Sequence, residues 1–150
     1  MGRILETVEQ WLQKDEWSFE PHPEKPIIRT SVQGASVSFR MYFQAREDQE
    51  QLMVYTIGPN LVPEAQRAEV MEYLTRANYG LIIGNFEMDL SDGEVRYKVS
   101  VDVEGSKLVP LMVKNMIGAS VSMMDRYYPG ALGIAFGGKK AAEAIKEAEG

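Results

Sequence analysis

The dipeptide Asp92-Gly93, flanked on both sides by alternating apolar residues, is the tightest local constraint in this chain. Such a pair suits a two-residue hairpin turn of the primed kind, whose central positions need positive φ and whose twist matches that of the flanking strands. With those two residues as the loop, Leu90 faces Val95, Met88 faces Tyr97 and Phe86 faces Val99. On the other face Asp89 meets Arg96 and Glu87 meets Lys98, two pairs of opposite sign worth ~0.2–1 kcal/mol each. Gly105 ends the second strand.

Residues 36–43 alternate as a strand with one buried face, Val37, Phe39, Met41 and Phe43 against Ser38, Arg40 and Tyr42. The polar run 46–51 turns the chain, and Leu52 to Ile57 returns until Gly58-Pro59. Upstream, Trp17 to Glu20 is a short strand-like piece. Pro21, Pro23 and Pro26 then forbid helix and lead into an extended Ile27–Val32.

Three helices frame these strands. Ile4, Leu5, Val8, Trp11 and Leu12 make one face of the first. Pro63 starts the second, with Val70, Tyr73, Leu74 and Ala77 as its apolar face. Pro110 opens the third, predicted to stop near Tyr128 at Pro129-Gly130. The order α-β-β-β-α-β-β-α, with antiparallel strands and helices gathered on one face, defines an α+β fold. The expected domain spans 1–129. Residues 130–150 are expected to form a glycine-rich hinge and a short, lightly docked or mobile helix of Ala, Glu and Lys.

A chain of 150 residues suits one domain and buries enough surface to need no metal or disulfide. There are no cysteines, which excludes disulfides, thiolate metal sites and cysteine nucleophiles. No secretory h-region and no apolar run of ~20 residues is visible, so the expected location is the cytoplasm. The net charge of −6 opposes binding to nucleic acid and to anionic lipid.

The residues of chemistry are sparse. His22 is the lone histidine and sits between two prolines, as a solvated loop residue would. Residues 133–139 match most of a phosphate-binding loop, but Lys140 stands where Ser or Thr should hold magnesium, and no buried strand leads in. That stretch reads as a glycine hinge. Glu87 and Asp89 have basic partners and read as a solvated sheet face. Tyr42, Phe43, Tyr55, Phe86 and Tyr97 lack the basic background of an RNA-binding sheet and read as core packing. No catalytic residue, cofactor site or metal site is predicted.

The third helix carries the one functional slant. It is apolar over most of its circumference, so it must be sandwiched or must meet a partner. Methionine-rich surfaces repack to suit varied partners. Met112, Met116, Met123 and Tyr127 are therefore the candidate interface, with homodimerisation as its first form.

Asn78-Tyr79-Gly80-Leu81, Gly84-Asn85-Phe86-Glu87-Met88-Asp89 and Asp92-Gly93-Glu94-Val95-Arg96-Tyr97, together with Asp125-Arg126-Tyr127-Tyr128-Pro129, resemble the YbjN-like family, and its cyanobacterial members in particular. The resemblance covers about residues 3–129. It implies a fold similar to type III secretion chaperones, small acidic homodimers that hold partner segments extended without ATP, and it brings no catalytic residues. The expected function is a non-enzymatic, chaperone-like or adaptor domain that dimerises and binds a protein or peptide segment. A small-molecule sensor or enzyme with a sheet–helix cleft, and an assembly factor for a larger complex, are the alternatives.

Overall fold

The structure is a computed structural model that describes residues 1–150. Six antiparallel strands form one sheet in the order β1-β2-β3-β4-β6-β5. They are β1 (Phe19–Pro21), β2 (Ile27–Gln33), β3 (Ser38–Arg46), β4 (Gln51–Leu61), β5 (Asn85–Asp89) and β6 (Glu94–Asp102). Helices α1 (Arg3–Lys14), α2 (Arg67–Asn78), α3 (Pro110–Gly137) and α4 (Ala141–Glu149) complete the fold. Alternation along the strands sends Ile28, Phe39, Met41, Phe43, Val54, Tyr97 and Val99 into one buried layer beneath the helices. The opposite sheet face stays open. The α+β class and the one-sided helices expected from the sequence are what the chain adopts, with β1 as an added short edge strand.

Three local expectations are overturned. The β5–β6 register pairs Met88 with Val95, Phe86 with Tyr97 and Glu87 with Arg96, two residues away from the expected pairing. The loop holds four residues, because Asp89 turns its carboxylate to the amide and hydroxyl of Ser91, at 2.9 and 2.6 Å, and its carbonyl accepts from Gly93 N–H at 2.7 Å. A slip of two keeps every side chain on its expected face, whereas a slip of one would have reversed them all. Glu87 therefore pairs Arg96 at 2.8 Å and reaches Lys98 only at 3.8 Å.

Strand β4 does not end at Gly58-Pro59. It continues to Leu61 through an irregularity between Ile57 and Leu61. Tyr128 lies directly over Gly58, where a Cβ would stand 2.2 Å from its ring.

Pro129 does not stop α3, which runs 28 residues to a C-cap at Gly138 with φ +72°. An interior proline costs a helix ~3 kcal/mol. Buried Tyr127 and Tyr128 before it, and Ala131, Ile134 and Ala135 after it, anchor both halves to the same core and outweigh that cost. The glycines from 133 to 137 are thus helical rather than a hinge. Helix α4 is docked: Ala141 and Ala144 are buried, Ala141 N–H donates to Glu69 Oε2 at 2.7 Å, and Arg126 Nε donates to the Ala148 carbonyl at 3.1 Å.

Candidate protein interface

Helix α3 meets β4 and β6 on one side and α1, α2 and α4 around the rest. This surround sandwiches the helix and absorbs much of the apolar surplus, one of the two outcomes the sequence left open. Met116 and Tyr127, two of the four interface candidates, are core residues at 6% and 2% exposure, which corrects that expectation. Tyr127 packs edge-on against Tyr73 and Phe86 and donates its hydroxyl to Glu149 Oε2 at 2.8 Å. Met112 and Met123 are half-buried against the core. The exposed large residues of α3, Leu111 and Phe136, lie 25 residues apart, or about 37 Å along the helix, and cannot form one patch.

The concentrated apolar surface is elsewhere. In the loop from α2 to β5, Tyr79 is 96% exposed, Ile82 94% and Ile83 51%. Three large, mostly exposed apolar side chains within five consecutive residues exceed the single, scattered exposure that is ordinary on a protein surface.

The loop is held at both ends. Gly84 takes φ +79° and leaves no space for a side chain, since a Cβ would stand 2.6 Å from the Tyr97 ring. Tyr97 donates its hydroxyl to the Ile83 carbonyl at 2.5 Å. The Asn78 side chain receives the Phe86 N–H at 2.7 Å and donates to the Phe86 carbonyl at 3.0 Å. Asn78 thereby stands in for a neighbouring strand on the outer edge of β5 and blunts that edge against strand addition. At the opposite edge, β1 has three residues and ends in proline. Both edges of the sheet are thus short or locally capped against strand addition.

The sequence contains the signal for this loop, an apolar Leu81-Ile82-Ile83 between Gly80 and Gly84. The signal does not identify a site by itself, because apolar residues between glycines also suit a buried turn.

The open face of the sheet is a second surface. Cross-strand pairing sets Arg29, Tyr42, Tyr55 and Lys98 in one row over four adjacent strands. Arg96 lies over the Tyr55 ring at 4.3 Å. Phe43, Phe86 and Tyr97 are core residues, but Tyr42 and Tyr55 face outward, against the expectation of core packing for all five aromatics.

His22 is a loop residue whose Nδ1 accepts the Glu24 and Lys25 amides at 3.1 and 2.9 Å. No group of three or more His, Asp or Glu side chains is gathered as metal ligands. No helix is long and apolar enough to cross a membrane.

Burial raises the hydroxyl pKa of Tyr73, Tyr97, Tyr127 and Tyr128, that of Tyr97 to about 12. A tyrosine in the unfolded chain ionises near 10. The stability these neutral hydroxyls lend is complete below pH 10 and is lost as pH rises through their folded values. Circular dichroism should therefore show cooperative unfolding above pH 10, in step with a late rise in tyrosinate absorbance. Ionisation of all seven tyrosines near pH 10 with the fold intact would refute this.

A family model matches residues 5–132. The chain belongs to the YbjN family. That family is described as "Putative bacterial sensory transduction regulator". The crystal structure of YbjN from E. coli is similar, with a TM-score of 0.64 at 13% identity, covering 83% of this chain and 91% of that one. The HopA1–SchA chaperone–effector complex contains a chain similar at TM-score 0.52 and 13% identity, covering 80% of this chain and 88% of its own. At this identity both likenesses speak for the fold. No curated protein matches the sequence. Helix α4 lies beyond the matched residues, so this YbjN-family chain carries its last docked helix outside the family match.

Proposed function

We propose that this YbjN-family chain is a non-enzymatic protein-binding domain, regulatory or chaperone-like, that pairs with a second copy of itself through the loop bearing Tyr79, Ile82 and Ile83. The observation that carries the reading is the near-complete exposure of Tyr79 and Ile82 on a loop fixed by Gly84, Asn78 and the Tyr97 hydroxyl. A fixed loop has little ordering entropy left to lose on binding. A two-fold interface sets one patch against itself, and an apolar patch is complementary to itself where a charged patch is not. Likeness to a chain of a chaperone–effector complex supports the same class.

Light scattering at tens of micromolar should give the mass of a dimer for the wild type. Combining Tyr79→Ser with Ile82→Glu should give a monomer that keeps the wild-type circular dichroism and unfolds cooperatively, its melting temperature lower only by what association contributed, since neither side chain belongs to the core. A monomeric wild type, or a dimer that survives both substitutions, would overturn the assignment.

A further inference from the structure

Two concavities join on the open face of the sheet. One, of about 700 Å³, runs from Trp17 and Phe19 at the β1 edge over Arg29 and Arg40 to Tyr42. The other, of about 440 Å³, shares those last three residues and continues to Tyr55 and Arg96. Together they form a trough crossing β1, β2, β3, β4 and β6. Its lining sets four bases, Arg29, Arg40, Arg96 and Lys25, against two acids, Glu20 and Glu94, on a chain whose net charge is −6.

Two of those bases are held loosely; Arg96 is not, since Glu87 pairs it at 2.8 Å and reaches Lys98, two residues further along β6, only at 3.8 Å. Glu20 stands 3.3 Å from Arg29, with side chains 71% and 46% exposed, and Glu94 stands 3.6 Å from Arg40. Exposed pairs of this kind are weak and readily exchanged. A carboxylate arriving from outside can replace them without leaving a buried charge unpaired.

We propose that this trough binds an acidic segment of a partner protein, in extended form, with two carboxylates four residues apart and an aromatic side chain midway. The proposal rests on the reading of the chain as a protein-binding domain and assigns it a second contact.

The spacing follows from sheet geometry. Arg29 on β2 and Lys98 on β6 end one cross-strand row and are separated by three strand spacings, about 14 Å across the sheet. Four residues of extended chain span about 13 Å, and side chains at i, i+2 and i+4 share one face. Carboxylates at i and i+4 therefore reach Arg29 and Lys98 together, and the residue at i+2 falls between them, over the Tyr42 ring and the Arg96 guanidinium that covers Tyr55. A single nucleic acid strand fits this charge balance less well. It brings a phosphate at every nucleotide to a trough with a surplus of two bases, set in an otherwise acidic surface.

The test is an NMR titration of the full chain with a short peptide of sequence Glu-Ser-Phe-Ser-Glu, its Gln-Ser-Phe-Ser-Gln counterpart, and oligothymidylate. The acidic peptide should shift the amides of Arg29, Tyr42, Tyr55 and Lys98 and bind at least about tenfold more tightly than the neutral one, a preference that salt should erode. Arg29→Gln combined with Lys98→Gln should remove that preference while leaving the melting temperature unchanged, since both side chains are held only by loose pairs.

Equal binding of the neutral peptide, an unaffected double variant, absence of binding, or tighter binding of oligothymidylate would each overturn the proposal. Loop and trough are separable. If Ile82→Glu splits the dimer while the acidic peptide fails to bind, only the trough falls; if the peptide binds and Ile82→Glu changes nothing, only the loop does.

Discussion

Replacing Tyr128 by alanine is expected to cost about 3–5 kcal/mol, the range for emptying a buried aromatic site. Tyr128 is 1% exposed and meets Phe39 edge-on at 5.8 Å. Its ring fills the space over Gly58, and its hydroxyl accepts the Asn60 N–H at 3.0 Å and donates to Asn60 Oδ1 at 3.2 Å. The side chain thus pins α3 to the irregular stretch of β4 that carries the strand past Pro59. Neighbours on a sheet cannot collapse into the space it would leave, so the cavity persists. Tyr128→Phe isolates the polar part and should cost only about 1 kcal/mol, since Asn60 stays near solvent. Urea unfolding of the two variants measures both costs. Against a total stability of about 5–15 kcal/mol for an ordinary domain, the alanine variant should be marginal. Similar losses for the two variants would show that the hydroxyl, not the ring, holds the contact.

What the sequence made legible was periodic. Alternation at Phe39, Met41 and Phe43, and the α2 face of Val70, Tyr73, Leu74 and Ala77, identified buried residues directly, because strand and helix periods map onto faces without knowledge of the partner element. The misreadings were at points where tertiary contacts override local chemistry. Pro129 and Pro59 both read as stops, yet each lies within an element that continues beyond it, α3 to Gly137 and β4 to Leu61. The hairpin register slipped by two because Asp89 directs its carboxylate to the turn and not to a cross-strand base. An all-round apolar helix such as α3 can be satisfied by a partner or by three more helices, and periodicity alone does not separate the two. Exposure at Tyr79 and Ile82 is a property of the assembled surface, with no periodic signature to announce it.

Gly130→Ala should destabilise the chain by several kcal/mol, although the same change in an exposed helix would stabilise it by about 1 kcal/mol. The sign reverses because a Cβ at Gly130 would stand 2.2 Å from the Tyr73 hydroxyl oxygen and 2.6 Å from its Cζ. Tyr73 has no room to retreat: it is fully buried, and its hydroxyl donates to the Tyr127 carbonyl at 2.6 Å. Overpacking at such a contact costs about 1–3 kcal/mol, and a buried hydroxyl forced off its acceptor adds about 1–3 kcal/mol. Tyr73→Phe alone removes the hydroxyl and should cost about 1 kcal/mol. In the Gly130→Ala background the same change should recover part of the loss, because the nearest clashing atom is gone while Cζ remains close. A double-mutant cycle by urea unfolding reads that coupling as a term of favourable sign. Additive losses would mean that α3 shifts away from α2 as a body, and the close approach at Gly130 would then not be what fixes the helix beyond Pro129.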